Sequence, residues 1–483
     1  MPGPSGARID RALQIALIAL SIAGLLTLLL SVADRVGFPF PLEWMEGASL
    51  QHALRLLHGQ PLYAAPSAEF IPYLYPPLAY VPMAASVAWV GPTLVAARLP
   101  SVAFTLLSLL LVGRMSARAA QHPLAGLFAS GLFAMGFGYT GAFLDLARVD
   151  ACFVALLLLG AERLQAGRAR SALAWLALSA FTKQHGLLLL LGASAGLLWQ
   201  DRRRHGPEVT FALAAVAIAY TGLDVASDGW LGRYCFALPL SHRMGKRLLL
   251  SFFFVDVLVY LPVLALAAAA DVLRRRPRIG AENVLLFSAL VASALGRAHV
   301  GGWDNVRLPA FALLCVAGSA PLCRAVLATD AVLQRRLLAT AALALQLAML
   351  WQAPSLHRPR PRSNARFTAL RDGLRACADG GRAVALDYGL LTQVPFVHTM
   401  ALSDLRLGRD RGLAAEGTDT LLQALRSPDA PAAIAVGEHF PALDRVLEQR
   451  YHECTRLPAP DLATGYSPGR ADGHRSVQVV YAR

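Results

Sequence analysis

Long apolar runs separated by short polar gaps fill the chain up to Trp351. Several of these runs reach the roughly 20 residues that an α-helix needs to cross the hydrocarbon core of a bilayer. The pattern predicts an all-α polytopic membrane protein with about 11 transmembrane helices, counted by this length rule. The predicted spans are Leu13–Val32, Leu99–Val112, Leu124–Phe143, Val149–Leu164, Ala172–Thr182, Leu187–Trp199, Val209–Val225, Leu248–Ala270, Val284–Leu295, Trp303–Cys323 and Leu337–Trp351.

The chain carries a formal net charge of +14, and many of its arginines lie in the gaps between the apolar runs. Positive residues in short loops mark the cytoplasmic side of a membrane protein, so this charge predicts an orientation rather than a nucleic-acid partner. Contact with membrane lipids of negative charge is the alternative explanation of the same clusters. The orientation that keeps every cluster inside has the N-terminus in the cytoplasm and the C-terminus outside. The clusters are Arg114 and Arg118; Arg163, Arg168 and Arg170; Arg202, Arg203 and Arg204; Arg274, Arg275, Arg276 and Arg278; and Arg324, Arg335 and Arg336.

Two apolar runs need separate treatment. Arg8 and Arg11 precede Leu13–Val32 as in a signal peptide, but no small-residue cleavage site follows, so we expect a retained anchor. A full span over Leu78–Val90 would place the cluster of Arg114 and Arg118 outside the cell, against the positive-inside rule. We therefore predict that Leu78–Val90 forms a re-entrant or interfacial helix.

The composition changes after Trp351, where several prolines form a linker-like stretch. Short alternating and amphipathic segments follow. They predict a small extracytoplasmic α/β domain over residues 354–483, after a transmembrane domain over residues 1–353. The predicted elements are a helix over Phe367–Cys377, strands over Arg382–Asp387, Ala432–Val436 and Ser476–Tyr481, and an amphipathic segment over Phe440–Cys454.

Two of the six cysteines, Cys377 and Cys454, fall in this outer domain. An oxidising compartment permits them to form a disulfide, and the sequence leaves the pairing open. The other four lie in or near apolar runs, where cysteine commonly serves as an apolar filler. No CxxC pair or histidine cluster has metal-ligand spacing, so we predict no cofactor. A metal ion stays an open alternative, although the sequence shows no ligand motif for one.

The predicted outer loop, residues 34–97, carries Glu43-Trp44-Met45-Glu46-Gly47 soon after the first span. Apolar residues at helical spacing predict a helix over Ser49–His58 that lies on the membrane surface. Glu46 can be a simple helix-start acid, since the helix dipole favours a carboxylate there. Alternatively, Glu46 or Glu43 is a general base that takes a proton from an acceptor. The predicted polar face of the helix carries Gln51, His52, Arg55 and His58.

Charged and polar residues elsewhere on the predicted outer face are candidates for substrate binding. Outer arginines and lysines run against the positive-inside trend, so each needs a partner. Arg148 can pair with Asp150, whereas Lys183 has no acid nearby in sequence and suits a lipid phosphate. The other predicted pair joins Arg307 to Asp304. The candidates are Tyr75, Arg148, Asp150, Lys183, His185, Arg233, Arg243, Asp304 and Asn305.

Acids and cations collected on one membrane face predict a lipid-phosphate donor from the bilayer and an acceptor from outside. A carboxylate would activate the acceptor while cations hold the departing phosphate. The sequence has no phosphate-binding glycine loop, so no nucleotide is predicted.

The order of six short motifs along residues 10–310 carries a family resemblance. The motifs are Glu46-Gly47, Leu56-Leu57-His58-Gly59-Gln60-Pro61-Leu62-Tyr63, Tyr75-Pro76-Pro77-Leu78, Ala97-Arg98-Leu99-Pro100-Ser101, Arg148-Val149-Asp150 and Thr182-Lys183-Gln184-His185-Gly186. They resemble those of the GT-C-type glycosyltransferases that use polyprenyl-phosphate sugars. This class includes the protein O-mannosyltransferases (glycosyltransferase family 39) and the aminoarabinose transferase of lipid A.

The resemblance implies transfer of a sugar from a polyprenyl-phosphate donor to a glycan, lipid or protein acceptor. It implies an active site on the periplasmic face of a bacterial inner membrane. It also implies that Lys183 and an outer arginine such as Arg233 or Arg243 contact the lipid phosphate, while Arg148 and Asp150 shape the site.

The chain departs from the family's pattern at one position. Family members usually carry Asp-Glu where this chain has Met45-Glu46, and that Asp is typically their catalytic acid. The resemblance therefore implies that Glu46 or Glu43 acts as the base here, or that this member is inactive.

Two other functions stay open at this point. A transporter or flippase of a lipid-linked glycan would place ionisable residues near the bilayer midplane and show internal repeats. Here the charges cluster at the outer rim, and the two halves of the sequence do not repeat. A non-catalytic membrane scaffold is compatible with the methionine at the usual aspartate position.

Overall fold

The computed structural model describes residues 4–66, 70–274, 280–299, 302–328, 332–385, 415–437, 441–458 and 477–483. The predicted helical architecture with a small C-terminal sheet is confirmed. The helices are α1 (Pro4–Val36), α2 (Glu46–Leu57), α3 (Tyr80–Val90), α4 (Leu94–Ala120), α5 (Pro123–Met135), α6 (Asp150–Gln165), α7 (Ala169–Ala180), α8 (His185–Gln200), α9 (Arg202–Ala226), α10 (Trp230–Gly232), α11 (Leu238–Ser241), α12 (Lys246–Ser251), α13 (Pro262–Arg274), α14 (Ala281–Ala298), α15 (Leu308–Leu327), α16 (Leu333–Leu350), α17 (Pro361–Ala378), α18 (Ala415–Arg426) and α19 (Pro441–Arg450).

Some predicted features lie outside the described residues. They are Arg275, Arg276 and Arg278 of one cytoplasmic cluster, residues 386–387 and Ser476 at the ends of two predicted strands, and Phe440 at the start of the amphipathic segment.

Six helices of the described chain are long and apolar enough to cross a membrane. The pair Lys246–Val257 and Pro262–Arg274 would make a seventh span if a bent pair counts as one. Helices α5 to α8 have only 12 to 16 residues each, so the predicted count of about 11 spans stays a prediction. The six spans are Arg11–Val36, Leu94–Ala120, Arg202–Ala226, Ala281–Ala298, Asp304–Leu327 and Leu333–Leu356.

The predicted span Leu124–Phe143 is wrong in its second half, because α5 ends at Met135. Residues 136–149 follow as buried, irregular backbone. Gly136 packs so closely on Phe311 that an added Cβ would lie 2.0 Å from the ring, and Gly141 has a φ of +76°. Only glycine adopts that φ without strain, so the segment turns instead of continuing the helix. This segment brings Asp145 and Arg148 towards the outer loop.

The predicted span Leu248–Ala270 is also not one straight helix. Its first part runs through α12 into a π-helical turn over Phe252–Val257, and α13 begins at Pro262. The two parts meet at 90°. Proline lacks the backbone N–H that a continuing helix would use, so the break falls in front of it.

Helix α2 begins and ends close to where the sequence predicts, but its predicted polar face is wrong at His52. The His52 side chain is fully buried. Its Nδ1 donates to the Ala48 carbonyl at 2.7 Å, and its Nε2 accepts the Tyr73 N–H at 3.1 Å. The chain at Tyr73 folds back over this face. Burial lowers the pKa of His52 to about 4, which suits a neutral ring with one donor and one acceptor nitrogen.

Four strands form a sheet in the order β1-β2-β4-β3. β1 (Ala383–Ala385) pairs in parallel with β2 (Ala433–Val436), and β4 (Val477–Ala482) pairs antiparallel with both β2 and β3 (His452–Pro458). Strands β1, β2 and β4 are predicted from sequence. β3 is not, because it is a largely exposed edge strand without a buried alternating face.

A disulfide joins Cys377 in α17 to Cys454 in β3, with 6.1 Å between their Cα atoms. It closes a sequence separation of 77 residues. This answers the pairing question that the sequence left open. The other four cysteines, Cys152, Cys235, Cys315 and Cys323, are free and buried.

Candidate active site

A cavity of about 540 Å³ lies between the outer loop, the turn from α7 to α8 and the segment after α14. Most of its wall is apolar, with Phe143, Phe236, Leu240, Leu295 and Trp303 among the lining side chains. Pockets with apolar walls and a few convergent polar groups are typical of ligand sites. The polar and titratable lining residues are Glu43, Tyr75, Arg148, Lys183, Gln184, His185, His242, His299 and Asn305.

Glu43 lines this cavity and is only 2% exposed. Its Oε2 accepts the Met45 N–H at 3.0 Å and lies 3.1 Å from Nη1 of Arg148. Its Oε1 makes no hydrogen bond to any described residue. Burial raises the pKa of the Glu43 carboxyl to about 7, against the opposing effects of Arg148 and the Met45 N–H. A carboxyl with a pKa near neutrality can exchange a proton at physiological pH.

Arg148 connects Glu43 to two further residues. Its Nη2 donates to the Tyr75 hydroxyl at 3.2 Å, and its Nε lies 3.7 Å from the Asp150 carboxylate. Tyr75 and Phe143 each lie with a ring centroid 5.6 Å from the guanidinium carbon. The predicted pairing of Arg148 with Asp150 is therefore present, and Glu43 is an additional, closer partner.

Lys183 lines the cavity from the turn between α7 and α8. Its Nζ donates to Asp150 Oδ1 at 2.7 Å, and Asn305 Nδ2 donates to the same oxygen at 2.9 Å. The sequence offered no acid near Lys183, yet the fold supplies one from 33 residues earlier. Glu43, Arg148, Asp150, Lys183 and Asn305 thus form one connected network, and all of these residues except Asp150 line the cavity.

Glu46 lies outside this network and does not line the cavity. Arg98 donates to both of its oxygens, from Nε at 2.8 Å and from Nη2 at 2.7 Å. The backbone N–H groups of Ala147 and Leu42 donate to them at 2.8 and 2.7 Å. Burial acts to raise the pKa of Glu46, but Arg98 and these N–H groups outweigh it and hold the pKa below its usual value.

The remaining predicted site residues divide into two groups. His185 lines the cavity, whereas Arg233 and Arg243 are exposed and do not. Arg233 lies over the Trp230 ring, 4.7 Å from its centroid. Asp304 lies outside the cavity wall and pairs with Arg307 at 2.7 Å, as the sequence predicts.

Sequence reasoning missed two features of the site. It did not single out Arg98 as the partner of Glu46, although the motif Ala97-Arg98-Leu99-Pro100 was recognised. It also did not select His242 and His299, whose rings lie 4.6 Å apart on the cavity wall. Each histidine directly follows an apolar helix, at Leu238–Ser241 and Ala281–Ala298.

No group of three or more His, Cys, Asp or Glu side chains within the described residues is arranged to hold a metal ion.

Comparison with known proteins gives matches at the level of structure. The sequence matches no known family profile, and no curated protein is similar in sequence. The fold matches ArnT from Cupriavidus metallidurans bound to undecaprenyl phosphate, with 12% identity, a TM-score of 0.59, and coverage of 96% of this chain and 97% of ArnT. The oligosaccharyltransferase of Archaeoglobus fulgidus matches with 11% identity and a TM-score of 0.52, over 85% of this chain and 67% of the enzyme. The chain therefore shares its overall fold with these two membrane enzymes, as the family resemblance implies.

Proposed function

We propose that this protein is an integral-membrane glycosyltransferase. It transfers a sugar from a polyprenyl-phosphate donor to an acceptor on the extracytoplasmic face, with Glu43 as the general base. The observation that carries this proposal is the Glu43 carboxyl, raised in pKa to about 7 on the wall of a largely apolar cavity and held beside Arg148. The fold shared with ArnT, which binds undecaprenyl phosphate, supports the choice of donor.

In the proposed reaction, Glu43 Oε1 faces the acceptor. The acceptor oxygen or nitrogen attacks the anomeric carbon of the sugar as its proton passes to Glu43. The bond between the anomeric carbon and the phosphate oxygen breaks, and the phosphate leaves with the electron pair. The apolar wall excludes water, which would otherwise compete with the acceptor.

The polar network would hold the phosphate and fix the base. Lys183 and Arg148 present cations to the cavity, and charge-assisted hydrogen bonds are the strong contacts for phosphate oxygens. Asp150 and Asn305 orient Lys183, while Tyr75 orients Arg148. We propose further substrate contacts from His185 on the cavity wall and from Asp304 through its neighbour Asn305. The exposed Arg233 and Arg243 would contact the donor phosphate as it enters.

Met45, at the position of the family's usual aspartate, supplies no carboxylate, and we propose that Glu43 takes that role. Glu46 has every acceptor position of its carboxylate in use, so we assign it to holding the loop. The scaffold alternative predicts no sugar transfer by the wild-type protein. The transporter alternative predicts movement of an intact donor without cleavage of the sugar–phosphate bond.

We further propose the topology of about 11 spans from the length rule, with the C-terminal domain over residues 354–483 outside a bacterial inner membrane. The acceptor is a glycan, lipid or protein that reaches this face. A protease added outside intact spheroplasts should remove a C-terminal tag, and protection of the tag would reverse the orientation.

The deciding experiment incubates membranes with polyprenyl-phosphate sugars labelled in the sugar. Wild-type membranes should release polyprenyl phosphate and yield a labelled acceptor. Glu43→Gln should lower the rate by at least about 100-fold, as expected for loss of a general base. Glu453→Gln, at an exposed glutamate of the C-terminal domain, is the matched control and should keep the wild-type rate. Full activity of Glu43→Gln would reject Glu43 as the base.

A further inference from the structure

One contact between the C-terminal domain and the outer loop is a pair of stacked aromatic rings. Phe367 of α17 stacks on Phe40, with ring centroids 5.1 Å apart and planes inclined by 11°. Both side chains are buried. Trp44 and Met45 belong to the same buried cluster, together with Leu370 of α17. The residues on either side of Glu43 in the chain are therefore packed against the C-terminal domain.

The same loop is also held by Arg98 of α4. Its guanidinium donates to the carbonyl oxygens of Phe38 and Phe40, the latter at 2.7 Å, in addition to binding Glu46. Arg98 fixes the backbone of the loop, whereas Phe367 packs on the side chain of Phe40. Residues 38–46 thus lie between two attachments from distant parts of the chain.

Glu43 itself contributes little to holding the loop. Its two hydrogen bonds reach one oxygen only, and one of them comes from Met45 in the same loop. A misplacement of about 1 Å at a catalytic group can cost on the order of 100-fold in rate, so the loop needs an external support.

We propose that Phe367 is a positioning residue: its stacking on Phe40 holds the outer loop so that the Glu43 carboxylate keeps its place beside Arg148. This inference rests on the proposed function, and it makes the C-terminal domain part of the catalytic apparatus without contact to substrate. The disulfide between Cys377 and Cys454 joins the other end of α17 to β3 and limits movement of the helix relative to the sheet.

The first test measures kcat and KM for the donor in Phe367→Ala, Phe40→Ala and the double variant. Each single variant should lower kcat by roughly 10- to 100-fold with KM nearly unchanged. The double variant should lose no more than either single one, because both remove the same contact. Val446→Ala is the matched control, since Val446 is buried in α19 of the same domain and outside the Phe367 cluster.

The second test follows the protonation of Glu43 without turnover. Infrared difference spectra against Glu43→Gln report its carboxyl band as a function of pH. The wild-type midpoint should lie near 7, and Phe367→Ala should lower it towards the ordinary value of 4.5 as water reaches the loop. The charged groups facing Glu43 are Arg148, Glu46 and Asp150, and none of them changes in this variant.

The two tests separate this inference from the proposed function. If the wild-type protein transfers no sugar, the proposed function fails. The midpoint of the Glu43 infrared titration still shows whether Phe367 holds the outer loop in place. An unchanged kcat together with an unchanged midpoint in Phe367→Ala would overturn the inference, as would equal losses in Val446→Ala. If Phe367→Ala does not fold, Phe40→Leu keeps an apolar side chain in the gap and should still lower kcat and the midpoint.

Discussion

Glu43 and Glu46 stand in the same loop, and each is buried beside an arginine from another part of the chain. Around Glu46, four hydrogen bonds occupy both oxygens, and the pKa is held low. Around Glu43, two hydrogen bonds occupy one oxygen, and burial raises the pKa to about 7. The difference teaches that burial and an arginine partner do not by themselves mark a reactive carboxylate. The number of unfilled acceptor positions, and their access to a cavity, separate the acid that can accept a proton from the acid that cannot.

The largest expected effect comes from Glu46→Gln. Removing one member of a buried ion pair typically costs about 3–5 kcal/mol, because the remaining charge stays buried without its partner. Arg98 would be that charge, so thermal unfolding in detergent should show a strongly destabilised protein. Glu43→Gln should change the unfolding temperature much less. A stable, inactive Glu46→Gln protein would break the contrast and return Glu46 to the list of candidate bases.

The next effect is on the dependence of rate on pH. The raised pKa means that Glu43 is ionised mainly above pH 7, and a base must be ionised to act. The value of kcat/KM should therefore fall by roughly tenfold per pH unit below about 7 and level off above it. Glu46 stays ionised across this range, so it adds no second inflection to the dependence of kcat/KM on pH. A midpoint near 4.5 would indicate a solvated Glu43 and weaken the comparison.

The smallest effect is expected from substitution of Lys183, the cation of the network that pairs with Asp150. Lys183→Ala removes a charge-assisted contact, which should raise KM for the donor by roughly 10- to 100-fold. Arg170→Ala is a suitable control, since the Arg170 side chain is 86% exposed in its pair with Glu208. Surface pairs of this kind contribute little, so the control should behave as wild type. An unchanged donor KM in Lys183→Ala would remove Lys183 from phosphate binding.

The sequence predicts regular elements well where one physical rule dominates. Long apolar runs such as those of α1, α4 and α9 leave few alternatives in a bilayer, because every backbone group must be paired. The bend before Pro262 and the irregular residues 136–149 escape this rule, since they depend on close packing that hydropathy does not report.

Several members of the candidate site were predicted from the sequence, but the contacts between them were not. The contact between Glu43 and Arg148 joins positions 105 residues apart, and that between Glu46 and Arg98 joins positions 52 apart. No local pattern distinguishes which acid meets which arginine. His52 shows the same difficulty, because a polar residue at a helical spacing predicts an exposed face until another segment covers it.

The attachments of the outer loop also set an order of assembly during synthesis. Arg98 is made 52 residues after Glu46, and the Ala147 N–H 101 residues after it. Phe367 follows Glu46 by 367 − 46 = 321 residues. At roughly 5–20 residues per second, the ribosome adds Arg98 about 3–10 seconds after Glu46 and Phe367 about 15–65 seconds after Glu46. A nascent chain therefore spends most of its synthesis with the loop anchored on one side only. A chain truncated before α17 would leave the ribosome with Glu46 and Arg98 able to pair, but with Phe40 lacking the ring of Phe367 that stacks on it.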